Sequence, residues 1–305
     1  MHENLDSLKI NFDTEGLWVV NITLALIMFG VALGITIEDF KRLLKNPKIL
    51  ITGIVSQFIL LPLITFLFIK ILNPMPSIAL GMMMVAACPG GNISNFLSQM
   101  AKGNAALSVS LTAFATIICL VMTPFNFQFW GSIYEPTSKI LETVAVSPIE
   151  MVKLVSLLLG IPLVLGMLIN FWSPNLAKKL AGVLKVVSLL FFIALIFIAL
   201  YKNREIFLEY VLYVFWIVVM HNILAFSTGF SISKLFRVSP KNTRSITIET
   251  GIQNSGLGLL LIFTFFDGLG GMALLAAFWG VWHIVSGLLL ASFWGYRPTI
   301  NKKLA

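Results

Sequence analysis

Of the 305 residues, 58% are hydrophobic and only 11% are charged, against roughly a quarter charged in an ordinary soluble domain. That balance excludes a water-soluble core and makes lipid the solvent for most of the chain. The net charge of +8 would suit nucleic acid if the basic residues shared a polar surface; they sit instead in short loops between apolar runs, which excludes that partner.

In chain order, residues 1–16 hold Glu3, Asp6, Asp13 and Glu15 ahead of any apolar run. This is the wrong charge for the n-region of a cleaved signal peptide, so an extracytoplasmic N-terminal segment is expected to be retained. Apolar runs of about the 20 residues that cross hydrocarbon then recur, which predicts an all-α polytopic membrane protein rather than a barrel of short alternating strands. Nine transmembrane helices are predicted, at residues 17–37, 48–72, 77–101, 104–124, 149–171, 180–201, 208–234, 244–266 and 271–296. Residues 125–148, with Trp130, Tyr134 and Glu135, read as a polar outer loop, and 297–305 as a tail.

Fifteen of the 21 Lys and Arg residues fall in alternate connections: Lys41 to Lys48, Lys102, Lys178 to Lys185, Lys234 to Arg244, and the tail. The positive-inside rule then puts the N-terminus outside and the tail in the cytoplasm of a bacterial inner membrane or a plasma membrane. Cys88 and Cys119 lie in apolar segments with no metal-binding spacing, and lone membrane histidines such as His221 and His283 are more often packed than ligating.

Two spans break the rules of lipid-compatible helix. The third carries CPGGNISN at 88–95, where Pro89 lacks a donor and Gly90 and Gly91 permit unusual backbone angles; the eighth carries ETGIQNSG at 249–256. Both are expected to be discontinuous. Unwound backbone survives in a membrane only where protein buries it or a cavity lines it, and paired breaks in two halves point to a transporter's binding site. The third span runs inward and the eighth outward, the arrangement of inverted-topology repeats.

Glu249 is the one carboxylate well inside a span, and such a residue is a functional-site hypothesis by default. Helical rise places Asn95 roughly 12 Å and Thr112 roughly 13 Å above the turn at Gly103, with Gln57 roughly 13 Å above Lys48 and Glu249 roughly 8 Å above Arg244. Ser108 and Thr112, four apart, share a face. The converging groups are all oxygen donors: Glu249, Asn95, Gln57, Gln253, Ser94, Ser108, Thr112 and freed carbonyls at 249–252. One full charge among neutral oxygens suits a monovalent cation, sodium first, better than calcium. Half-helix ends at the same crossing favour an anionic substrate. A lone membrane carboxylate equally suits a proton carrier, and a passive channel stays open; no HExxH, nucleophile elbow or carboxylate pair supports an enzyme.

CPGGNISN, the following KGNAALSVSLT, Gln57 in VSQF and IETGIQNSG together resemble the bile acid:sodium symporter family over about residues 17–295. The chain is similar to a bacterial homologue of the apical and hepatic sodium-dependent bile acid transporters, with the nine-helix count and the Asn92 of mammalian members. The resemblance implies an inverted-repeat core at 48–124 and 208–296, with two crossed discontinuous helices, and a panel at 17–37 and 149–201. It implies two sodium sites, one at Ser94, Asn95, Ser108, Thr112 and Glu249, the other at Gln57, Glu249, Thr250, Ile252 and Gln253, with carbonyls from Thr250 and Ile252. An organic anion, a bile-acid-like steroid or small carboxylate, would sit between the bodies near Asn92, Asn254, His283 and Ile284. Sodium, this anion and membrane lipids are the expected partners, with no obligate protein partner. Ile284 stands where a bacterial relative has asparagine.

Overall fold

The computed structural model describes residues 5–6, 8–9, 14–91, 93–145, 147–184, 186–187, 190 and 204–296. All regular structure among them is helical, and the only bridges are isolated ones. Apolar chain in lipid must satisfy its backbone internally, and helix is the local way to do so.

Helix α1 (Thr14–Ala32) turns by 69° into the short amphipathic α2 (Ile37–Leu44). Thr36 starts α2 by donating its N–H to Asp39 Oδ2 at 2.9 Å, a reciprocal cap that fixes a new axis. Then follow α3 (Pro47–Leu72), α4 (Pro76–Ala87), α5 (Ile93–Met100), α6 (Ala105–Ile133), α7 (Glu135–Val144), α8 (Pro148–Trp172) and α9 (174–184). The last four are α10 (Arg204–Leu235), α11 (Pro240–Gly251), α12 (Ser255–Phe266) and α13 (Gly270–Tyr296).

Five of these are long and apolar enough to cross a membrane (α3, α6, α8, the 208–235 part of α10, and α13), and the bent α1–α2 pair makes a sixth candidate. The third and eighth expected spans are each split, into α4 and α5 and into α11 and α12. Most of the sixth expected span, 180–201, and all of the 297–305 tail lie outside the described residues, as does Asn92. Residues 125–148 depart from expectation. The apolar, aromatic run FNFQFWGSI carries α6 on to Ile133, and Pro136 then starts α7 in its first turn, where a missing donor does no harm.

Two helices widen into a π turn, at Ser56–Leu60 in α3 and Ser156–Gly160 in α8. Each precedes a proline by one residue, Pro62 and Pro162. A proline ring clashes with the carbonyl four residues back, here Phe58 or Leu158 inside each turn, and an extra residue in the turn relieves that clash.

The core sits where α4, α12 and α13 meet, with Met82, Met84, Leu261, Met272 and Trp279 fully buried. Gly81 lets α4 approach the backbone of Met272 on α13. Outward faces carry exposed Ile71, Trp172, Leu208 and Trp216, as lipid-facing surfaces do. A strap ahead of α1 closes one end of this core. Leu5 is fully buried, Asp6 Oδ1 accepts the Ser77 N–H of α4 at 2.8 Å, and the Leu8 carbonyl accepts the Gly270 N–H of α13 at 2.7 Å.

Candidate cation site

The break after α4 begins at Cys88, whose extended angles (φ −70°, ψ 156°) follow from the proline behind it. The break after α11 begins at Ile252 (φ −110°, ψ 102°). The two breaks meet and pair. Gly91 N–H donates to Ile252 O at 2.6 Å, Asn254 N–H donates to Pro89 O at 2.9 Å, and Gly90 faces Gln253 as an antiparallel bridge.

The glycines serve this contact by their size rather than by unusual angles, which corrects the sequence reading. Gly268 is the one described glycine with positive φ. A Cβ on Gly91 would lie 2.8 Å from Gln253 O, and one on Gly90 would run into the Glu249 carboxylate.

The carbonyls freed at the breaks are met by side chains from neighbouring helices. Thr123 Oγ1 donates to Ala87 O at 2.7 Å, Gln57 Nε2 to Cys88 O at 2.8 Å, and Asn222 Nδ2 to Gly251 O at 2.8 Å. Asn126 Nδ2 likewise reaches Phe58 O, in the π turn before Pro62, at 2.9 Å. Each unmet group in hydrocarbon would cost several kcal/mol.

Glu249, in the last turns of α11, is 4% exposed. Ser94 Oγ of α5 donates to its Oε2 at 2.5 Å, Ser108 Oγ of α6 to the same oxygen at 3.3 Å, and Thr112 Oγ1 of α6 to Oε1 at 2.7 Å. Asn95 joins through its Oδ1, 3.3 Å from Thr112 Oγ1. No lysine, arginine or histidine pairs with the carboxylate among the described residues. Five oxygen-bearing side chains with a single charge thus converge, as the depth comparison predicts. No three His, Cys, Asp or Glu side chains gather among the described residues, so the donor set fits a hard monovalent cation better than a divalent or soft one.

The second predicted set lies toward α3. Gln57 Nε2 donates to Gln253 Oε1 at 2.9 Å, and Gln253 Nε2 donates to Thr250 O at 2.6 Å. Ile252 O is held by Gly91. Gln57, Glu249 and Thr250 share a small pocket walled by Gly53, Leu111 and Ile246. The structure therefore groups Gln57, Thr250, Ile252 and Gln253 at the crossing, with their polar atoms paired to one another and to the backbone.

The residues named for an anion are not gathered in this way. Asn254 caps α12, its Oδ1 accepting Leu257 N–H at 3.1 Å, and its Nδ2 lies 3.7 Å from Met28 Sδ of α1. It faces α1, whereas Glu249 faces α6. His283 is buried on α13 and Ile284 is half-buried beside it, and no hydrogen bond joins either to Asn254 among the described residues. His221 is packed, as expected of a lone membrane histidine, with Nε2 2.7 Å from Thr65 Oγ1 and its ring against Trp279.

Sequence reasoning missed Ser56, Thr123, Asn126, Asn222 and Ser286. Ser56 Oγ meets Thr250 Oγ1 at 2.8 Å, and Ser286 Oγ donates to Asn222 Oδ1 at 2.5 Å. A signal existed on α6, where Ser108, Thr112, Thr116, Thr123 and Asn126 recur at helical spacing and are all buried.

A helical membrane protein with two interrupted helices crossing at a buried carboxylate is the class that fold and site define. The sodium bile acid symporter family matches residues 21–210, and the chain belongs to that family. It is 32% identical over 286 residues to an uncharacterized sodium-dependent transporter, YocS, of Bacillus subtilis, covering 93% of this chain and 86% of that protein. It is 31% identical over 276 residues to the probable chloroplastic sodium/metabolite cotransporter BASS1 of rice, covering 90% of this chain and 65% of that longer protein. Against the human ileal sodium/bile acid cotransporter the identity is 28% over 245 residues, covering 78% of this chain and 67% of the relative.

Proposed function

We propose that the chain is a secondary active symporter that couples inward sodium movement to uptake of an organic anion. The observation that carries the reading is the Glu249 carboxylate, buried and met by three hydroxyls with no cationic side chain paired to it among the described residues. A charge so placed is stabilised by a mobile cation, and relatives named for sodium coupling support sodium as that cation.

Two ions are assigned. The first would bind Ser94, Asn95, Ser108, Thr112 and Glu249, whose hydroxyls can turn lone pairs toward it. The second would bind Gln57, Glu249, Gln253 and the carbonyls of Thr250 and Ile252. Their binding stiffens the crossing, and the positive N-terminal end of α12, capped by Asn254 on the side facing α1, attracts an anionic substrate. In this reading nine spans form an inverted-repeat core (48–124 and 208–296) and a panel (17–37 and 149–201), and the anion moves between them by alternating access. The N-terminus is outside and the tail cytoplasmic. The substrate class is a bile-acid-like steroid, after the name of the ileal relative, or a smaller carboxylate, since the chloroplast relative is named for a metabolite rather than a bile acid.

Proteoliposomes with an imposed inward sodium gradient should concentrate labelled taurocholate or pantoate, and collapse of the gradient should release it. Uptake of both that is unchanged when potassium replaces sodium would sink the coupling, and uptake driven by a pH gradient alone would hand the role of Glu249 to a proton.

A further inference from the structure

The crossing has a support outside both donor sets. Asn222, at mid-length in α10, is fully buried, and both ends of its amide are used. Nδ2 donates to Gly251 O at 2.8 Å, and Oδ1 accepts from Ser286 Oγ of α13 at 2.5 Å. One turn further along α10, the Phe226 ring fills the space that a side chain at 251 would take, and Gly229 lies against the backbone of Ile246 and Thr247. Asn222, Phe226 and Gly229 thus form one face of α10 laid along the final turns of α11.

Gly251 is the last residue of α11, so its carbonyl is one that the helix leaves unpaired. Its neighbours in the chain, Thr250 and Ile252, carry the two backbone carbonyls assigned to the second ion. Adjacent peptide planes are linked through shared φ and ψ. Fixing the carbonyl of 251 therefore restricts how far those of 250 and 252 can turn. The Ser286 hydroxyl holds Asn222 in the orientation that presents its N–H groups, rather than its oxygen, to Gly251.

We propose that Asn222, oriented by Ser286, is a positioning residue for the second cation: it touches no ion, and sets the direction of the Thr250 and Ile252 carbonyls through Gly251. The inference rests on the sodium-coupled reading above. It separates the two ions. Loss of Asn222 should weaken the second while leaving Ser94, Ser108, Thr112 and Glu249 to bind the first.

The test uses the purified full chain and sodium alone, with no transported substrate. Each bound sodium adds its own increment to thermal stabilisation with rising sodium, so two ions give twice the slope of one against the logarithm of concentration. Wild type should show the two-ion slope. Asn222→Ala should weaken the second ion about tenfold or more, and so show about half of that slope at sodium concentrations below the weakened site's dissociation constant. Ser286→Ala, which leaves the bond from Asn222 to Gly251 O in place, should weaken the second ion about threefold. Asn222→Asp keeps an acceptor for Ser286 but loses the N–H for Gly251, and should resemble Asn222→Ala.

A purely structural role would lower the melting temperature without sodium and leave the slope unchanged. That result in folded Asn222→Ala or Asn222→Asp protein, with wild-type sodium affinity in Ser286→Ala, overturns the inference while leaving sodium coupling standing. If both Asn222 variants fail to fold, Ser286→Ala decides: unchanged sodium affinity overturns the proposal and a weakened second ion supports it. A wild-type slope of one ion removes the second cation and this inference with it, and a wild type indifferent to sodium overturns the functional reading itself.

Discussion

The two donor sets lie within a few residues of each other and are built on different principles. The first is a carboxylate surrounded by side-chain hydroxyls of α5 and α6, each able to rotate without moving any backbone. Apart from the shared Glu249 the second is neutral, made of two paired amides and of the carbonyls of Thr250, in the last turn of α11, and Ile252, at the break. The first is therefore governed by charge and the second by backbone direction. Losing a single side chain should damage the first locally, whereas the second can be dismantled without touching any of its own ligands.

The largest effect should come from the residue common to both. Glu249→Gln keeps the size of the side chain and lets Ser94, Ser108 and Thr112 exchange donor for acceptor roles, so the protein should fold. It removes the only full charge, and the sodium concentration that half-stabilises the protein should rise about a hundredfold or more. Wild-type sodium affinity in that variant would mean that Glu249 serves neither ion.

Next in size is Gly91→Ala. Its Cβ would lie 2.8 Å from Gln253 O, a backbone atom that cannot swing aside, so the paired breaks must separate at a cost of about 3 kcal/mol. A melting temperature several degrees lower, with sodium dependence lost mainly at the second ion, is expected in a calorimetric titration. A variant that melts and binds like wild type would show that the contact between the breaks is not tight.

Thr112→Val tests the first set by itself. Valine matches the shape of threonine and removes the 2.7 Å hydrogen bond to Glu249, which as a bond to a charged group is worth about tenfold in affinity or somewhat more. Thr112→Ser should restore most of it. The second ion should be weakened only through its share of Glu249, and equal loss at both ions would break the distinction between the sets.

The same distinction governs what could be read in advance. Glu249, Asn95, Gln57 and Thr112 were legible because their chemistry is in their side chains, and helical rise brings them toward one layer, with Ser108 on the face of Thr112. Thr250 and Ile252 carry carbonyls like any other residue; the break pointed to freed carbonyls at 249–252, and the family resemblance singled out these two among them. Asn222, Thr123 and Asn126 were not legible as partners of orphan carbonyls, because which helix end faces which neighbour is decided by tertiary packing. Pro62 and Pro162 stood in plain view, yet the sequence did not say whether each would break its helix or only widen a turn. The continuation of α6 through residues 125–133 was hidden by Asn126, Gln128 and Ser132, of which Asn126 is buried on the seam of Thr112 while Gln128 bonds to the exposed Ser132.

The smallest effect should come from Asp6 and Lys9 of the strap, which contact neither set and so serve as controls on both. Asp6 accepts an N–H that the start of α4 leaves unpaired, and Asp6→Ala should lower stability by about 1 kcal/mol, as the loss of a helix cap does. Lys9 and Asp267 also pair there, with both side chains more than half exposed. Solvent and salt screen such a pair, so Lys9→Ala should cost less than Asp6→Ala and less still at high ionic strength. Neither should alter the slope of stabilisation against sodium. If Asp6→Ala does alter it, the fixed end of α4 is transmitting strain through Cys88 to Gln57, and the second set depends on backbone held much farther away than Gly251.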